Sequence, residues 1–400
     1  MGAPKPSDDR PRRLHYLDSL KLLLILLVVV HHAIQAYGPA DWWYVEGTDR
    51  VEALSVVSVV NGSFSMSLFF LIAAYLLPPS YDRKGGGRYL LDRFRQFGPP
   101  ILVGFLVIIP VLTFFYYVNF RDYPPIGFGT YYLDIYLGLG EEPANWSGPT
   151  WPDRQFGHLW FIQHLLVYAL FYAAWRGIAG LVASRRDTSA PPARRSVGAP
   201  GTVAVLVFVL VVAVATFVLR GWYPVDQWIP VAEFIQAEPA DLAQYAAFFV
   251  VGLLVYRYDW LSTFSRRAGL IWLGVAVGLT AVHFLMGPEL DRLYAMGGWN
   301  TGSLLWSVVE TLMGTAWIIG LLVAFREWVN RPSRLVAALA PVTFTVYVLH
   351  VPVVVALQYG MAAIDVPPLT AFALVAVIGT AVSFAVAWGV RRTPFLRELV

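Results

Sequence analysis

Ten apolar runs of about twenty residues, separated by charged connections, constrain this chain more than any other feature. A hydrocarbon core of about 30 Å is crossed by roughly 20 apolar residues in a helix. Inside lipid the backbone must satisfy its own polar groups, which a helix does. The runs lie near 20–38, 54–77, 98–118, 158–178, 201–219, 242–257, 268–286, 303–325, 335–359 and 369–390. Hydrophobic residues make up 58% of the 400 and charged residues only 14%, against about 25% charged in soluble domains. The expected fold is therefore all-α, a polytopic transmembrane helix bundle of about ten helices in one domain over 1–400.

The charges orient it. Every second connection, together with both termini, carries 23 of the 29 Lys and Arg residues. The other connections hold Arg50, Arg121, Arg154, Arg220 and Arg292, and Lys21 heads the first run. Basic residues mark the cytoplasmic side, so both termini are expected there, as an even number of spans requires. Residues 1–16 read as a cytoplasmic tail. Residues 184–200, with four arginines and several prolines, read as a mobile cytoplasmic loop. The location expected is the inner (plasma) membrane, multi-pass. A cleavable signal peptide is the alternative for the first run, but His31 and His32 interrupt it and no small-residue cleavage site follows. The chain has no cysteine, which excludes disulfides, thiolate metal sites and a cysteine nucleophile.

Ionisable residues within spans are costly and suggest function. His31, His32, His158, His283, His350 and Glu310 all fall in the outer half or at the outer surface, while His164 is nearer the middle. For one histidine alone, a hydrogen bond to a neighbouring helix explains as much as catalysis does; the shared depth favours a site. Glu310 is either a structural partner for one of these histidines or the carboxylate that orients a catalytic imidazole. At about 100° per residue, Lys21 and His32 share a helix face to within about 20° and lie roughly 16 Å apart, whereas His31 points about 80° away. Asp18 stands one turn before Lys21 and can pair with it. Thr343, Tyr347 and His350 form a polar stripe in the ninth span.

At these residues the chain resembles the acyltransferase-3 family of membrane acyltransferases. The first span reads Leu17-Asp18-Ser19-Leu20-Lys21, ten residues, then His32, where the family has Arg in place of Lys21. The segment from Ser67 to Leu77, the pair Arg93 and Arg95, the run Gly157-His158-Leu159-Trp160-Phe161 and the Tyr347–His350 spacing follow in the family's order. The Leu-Asp-Ser opening and the His-Leu-Trp-Phe run look most like the branch that modifies periplasmic glucans.

The resemblance implies O-acylation of a carbohydrate or similar hydroxyl, with acyl-CoA as donor, most simply acetyl-CoA or a succinyl equivalent. His32 is then the expected base, since imidazole titrates near neutrality; an acyl-imidazole relay is the other option. His158 and His350 are expected to stabilise the oxyanion or orient the acceptor, with Glu310 among the catalytic groups. Lys21, Arg93 and Arg95 are expected on the donor, guanidinium being suited to phosphate. The partners expected are acyl-CoA, a hydroxyl acceptor and the bilayer; no metal and no nucleic acid is expected. Nine of the fifteen tryptophans lie toward the outer side, as an interfacial belt with room for sugar-stacking platforms. A transporter or flippase of a sugar-containing substrate is the competing class. A non-catalytic sensor or scaffold is the third.

Overall fold

A computed structural model describes residues 14–38, 43–45, 49–121, 123–148, 150–184, 197–232 and 234–394. Most of the tail 1–16 and of the loop 184–200 lies outside these. Ten helices are long and apolar enough to cross a membrane: α1 (His15–Ile34), α2 (Glu52–Lys84), α3 (Gly86–Phe120), α4 (Gly157–Ala183), α5 (Thr202–Trp222), α6 (Pro239–Tyr258), α7 (Arg266–Gly287), α8 (Thr301–Trp328), α9 (Arg334–Ala362) and α10 (Pro368–Arg392). Each coincides with one apolar run of the sequence.

The largest departure from the sequence reading is at the second connection. Residues 78–97, expected as a basic loop, are helical except for Gly85. A left-handed φ of 73° at Gly85, which only glycine adopts without strain, lets α3 start one residue after α2 ends. Arg88, Arg93 and Arg95 thus ride on a helix. Pro99 and Pro100 lie inside α3, and a π-helical segment, Gly104–Ile108, follows them. The expected third span began near 98 because the apolar run begins there; the helix itself continues through both prolines, which membrane helices tolerate.

Helix α1 sits at the centre, packed on α2, α8, α9 and α10. Close backbone approach, rather than a hydrophobic drive, holds membrane helices together. A Cβ on Gly314 of α8 would stand 2.2 Å from the Ser63 carbonyl of α2, and one on Gly252 of α6 would stand 2.3 Å from that of Leu71. Side chains on the outer helices face outward instead: Val203 is 76% exposed and Val377 70%, the state expected of lipid-facing residues.

The acidic ends of the helices are covered by the connections. A two-stranded hairpin, β1 (Ile229–Val231) and β2 (Ile235–Ala237), pairs antiparallel with Ile229 opposite Ala237. Gln163 of α4 donates to the Phe234 carbonyl (2.9 Å) and accepts from the Gln236 amide (3.2 Å). The Gln236 carbonyl lies 3.1 Å from His164 Nε2, which explains that histidine as an anchor of the hairpin. The connection 121–156 is folded around a buried ion pair between Arg121 and Asp153 (3.2 Å). Burial pushes the Asp153 carboxyl above the ordinary carboxylate range, and Arg121, Gln155 and Tyr131 pull against it. The Arg121 guanidinium also lies 4.5 Å over the Trp146 ring.

Candidate active site

Three histidines meet between α1, α4 and α9. The His32 and His350 rings are 4.8 Å apart, His158 and His350 5.2 Å, and His32 and His158 6.3 Å. His158 opens α4 in a single 3₁₀ turn, preceded by Gly157 at a φ of 46°, a left-handed value that suits glycine. His350 sits in α9, fully buried.

Their hydrogen bonds fix the protons. Nδ1 of His350 lies 2.7 Å from the Tyr347 carbonyl and 3.2 Å from that of Val346. A carbonyl only accepts, so the neutral ring is protonated at Nδ1 and offers a lone pair at Nε2. That lone pair faces Nδ1 of His32 at 3.1 Å. The same His32 nitrogen lies 2.9 Å from the Val28 carbonyl. With two acceptors around it, His32 Nδ1 carries the proton. His32 Nε2 is left with a lone pair and no hydrogen bond among the described residues. By the same logic His158 donates Nε2–H to the Val348 carbonyl (3.0 Å), and its Nδ1 lone pair is buried without a partner.

His31 lies beside the cluster, its ring 5.6 Å from that of His32, but it has no ring contact with His158 or His350 among the described residues. It bonds Gln35 Nε2 at 3.0 Å instead. His283 is remote in the fold, on α7, with its ring near Tyr294 and Trp306.

His32 and His158 line an outer cleft of about 350 Å³ at the acidic ends of the helices. Its walls carry the rings of Trp43, Tyr44, Trp160 and Trp228 and the polar groups of Arg121, Gln155, Asp226 and Gln236. Gln358, fully buried on α9, accepts from Trp43 Nε1 (2.7 Å) and donates to the carbonyls of His32 (3.3 Å) and Ala33 (3.2 Å). One side chain thus ties the tryptophan to the end of α1, with its ring 5.8 Å from His32. Nothing in the sequence pairs these residues. The available sign was a lone amide in an apolar run.

A second cleft of about 280 Å³ opens at the basic ends. Lys21, Arg93, Gln96, Phe97, Phe161, Thr343 and Tyr347 are among its lining residues. Lys21 pairs with Asp18 at 2.8 Å, as the spacing predicts. Arg93 bonds Gln96 (2.8 Å) and Ser80 (3.4 Å), and its Nε is buried without a partner. Arg95 is exposed and is not part of this wall: it follows Arg93 by about 200° of helix rotation, so the two cannot share a face. Tyr347 lies between the inner cleft and the histidines. Its ring lines that cleft, its hydroxyl donates to the His158 carbonyl, and its ring lies 6.1 Å from that of His350.

Glu310 corrects an expectation. Its carboxylate binds Arg220 of α5 at 2.6 Å, and it is hydrogen-bonded to no histidine among the described residues. Arg220, 1% exposed, also holds Asp241 of α6 at 2.9 Å, and Tyr245 donates to the other Asp241 oxygen (3.0 Å). A buried cation draws in carboxylates because an unpaired charge in the bundle is costly. The sequence offered Glu310 inside a run and Arg220 and Asp241 at the edges of two others, with nothing to pair them. The Tyr245 ring stacks on Trp160 at 5.4 Å, which links this cluster to the outer cleft.

No group of three or more metal-ligating His, Asp or Glu side chains forms among the described residues. A family model described as an acyltransferase domain matches residues 14–390, nearly the whole chain. No curated protein and no solved structure matches it significantly.

Proposed function

Since this chain belongs to the acyltransferase family, and is thereby a membrane acyltransferase, we propose that it carries an acyl group from cytoplasmic acyl-CoA to a hydroxyl of a carbohydrate at the outer face. One observation carries this reading: the three-histidine cluster stands between two clefts that open at opposite ends of the bundle. The inner cleft, at the basic and hence cytoplasmic end, offers Lys21 and Arg93 to a phosphorylated donor. The outer cleft offers aromatic rings interleaved with amide, carboxylate and guanidinium groups, a lining suited to a sugar.

The acyl thioester reaches the cluster past Tyr347. The acceptor hydroxyl lies at His32 Nε2, whose lone pair takes its proton as the oxygen attacks the thioester carbon. The imidazolium so formed keeps its Nδ1–H between the Val28 carbonyl and His350 Nε2, two acceptors that favour the positive ring. The tetrahedral intermediate collapses to the ester and expels the coenzyme A thiolate, which takes up the proton. His350 acts through His32 and is a positioning residue. The His158 Nδ1 lone pair accepts a hydrogen bond from the acceptor and orients it. Thiol release coupled to ester formation on a carbohydrate, measured with purified protein, is the test; acyl-CoA left intact with every hydroxyl acceptor contradicts the reading.

The two arginines separate in this account. Arg93→Gln is expected to raise the apparent KM for acyl-CoA about tenfold, as loss of a hydrogen bond to a charged group does, with kcat little changed if ground and transition states are bound equally. Arg95→Gln is expected to leave the donor KM within twofold, and Lys21→Arg to be tolerated. Donor titrations at fixed acceptor distinguish these outcomes; equal effects of the Arg93 and Arg95 variants would remove the inner cleft from donor binding.

A further inference from the structure

The inner cleft, at about 280 Å³, falls just below the ~300–1,000 Å³ that enclose a drug-sized ligand. Coenzyme A has a pantetheine arm, a diphosphate and a phosphorylated adenosine. The cleft accommodates the arm and leaves the nucleotide to be housed elsewhere on the same side.

A third cleft of about 680 Å³ lies on that side, between the end of α2, the second half of α4 and the end of α6. It meets the inner cleft at Phe249, which lines both. Tyr172, Trp175 and Tyr258 give it flat aromatic walls, and Arg176 and Arg257 give it charge. Arg176 is already engaged by Asp82 (2.6 Å) and the Tyr172 hydroxyl (2.8 Å). Arg257 is not. Its Nε is buried without a partner, and it forms no ion pair or hydrogen bond among the described residues. Arg121 and Arg220 also have an unpartnered buried Nε, but each binds a carboxylate through another nitrogen. Arg93 and Arg257 form no ion pair with a carboxylate among the described residues, and they stand on the two adjoining clefts. Both are half-buried at a cleft wall, and a guanidinium there without a carboxylate has donors to offer an anionic ligand.

We propose that the third cleft is the nucleotide subsite of the donor. The adenine stacks on the Trp175–Tyr258 side, and a phosphate binds Arg257, while Arg93 serves the phosphate at the head of the pantetheine arm. The assignment rests on the acyl-CoA reading above.

The test compares acyl-CoA with the truncated donor acyl-phosphopantetheine, which lacks the nucleotide, in the unmodified protein and in the Arg257→Gln and Trp175→Ala variants. Each substitution is expected to raise the KM for acyl-CoA about tenfold, the usual scale for losing a base stack or a charged hydrogen bond. Neither is expected to change the KM for the truncated donor, which the unmodified protein should bind more weakly than acyl-CoA. Normal turnover of the truncated donor also shows that a variant is folded. Equal effects on both donors would make the cleft a structural element or a lipid headgroup site and overturn the proposal, as would no effect on either. Adenosine 3′,5′-bisphosphate should compete with acyl-CoA in the unmodified protein, and absence of competition overturns the proposal without any variant. If the unmodified protein turns over neither donor, the acyl-CoA reading itself fails, an outcome distinct from all of these.

Discussion

Replacing His32 with alanine is expected to lower acyl transfer by about 10²–10⁴-fold, the contribution of a positioned general base, while the protein still inserts and accumulates. His32 is the histidine whose free nitrogen lines the outer cleft while its other nitrogen is held by Val28 and His350. His31→Ala removes the bond to Gln35 and an edge contact with the His32 ring and is expected to cost less than tenfold, through packing. The neighbours differ by about 100° of rotation and by nothing in chemistry, so one activity assay on both variants isolates the geometric argument. An essential His31 with a dispensable His32 would refute it.

The second large effect is on stability. Arg220→Met is expected to destabilise the bundle by about 3–5 kcal/mol, because it leaves two carboxylates in the interior without their cation. The readout is loss of accumulation and a lowered unfolding temperature in detergent. Glu310→Gln is expected to cost less, since Arg220 retains Asp241 at 2.9 Å. The pair also decides what Glu310 does. As a structural counter-ion it changes stability and leaves kcat per folded molecule unchanged. A Glu310→Gln protein of full stability and strongly reduced kcat would restore it to the catalytic groups.

Much of this architecture was legible in the sequence because two periodicities are physical. A span's length is set by the bilayer, so the ten runs and their alternating charge locate all ten helices. The 100° step placed His32 with Lys21 and set His31 aside, and the same step made Thr343, Tyr347 and His350 one stripe. Family motifs drew attention to His158 ahead of other histidines of similar depth. The misreadings lie where a local rule met a tertiary one. The first turns of α3 carry a basic surface rather than an apolar run, and so read as a loop. Arg93 and Arg95 were treated as a pair because the motif pairs them, yet adjacent-but-one positions face opposite sides of a helix. Partnerships across the chain were out of reach: Trp43 with Gln358, Arg220 with Asp241 and Glu310, and Phe249 between two clefts all depend on which helices pack together. Composition and spacing leave that open.

In this mechanism the acyl group enters from one side of the membrane and leaves on the other. Reconstituted proteoliposomes test it directly, with an impermeant carbohydrate acceptor trapped inside and labelled acyl-CoA supplied only outside. Labelled ester on the trapped acceptor and free coenzyme A thiol outside are expected, both lost with His32→Ala. Label that appears only on acceptor placed in the donor's own compartment, with none on the trapped acceptor, would contradict this mechanism.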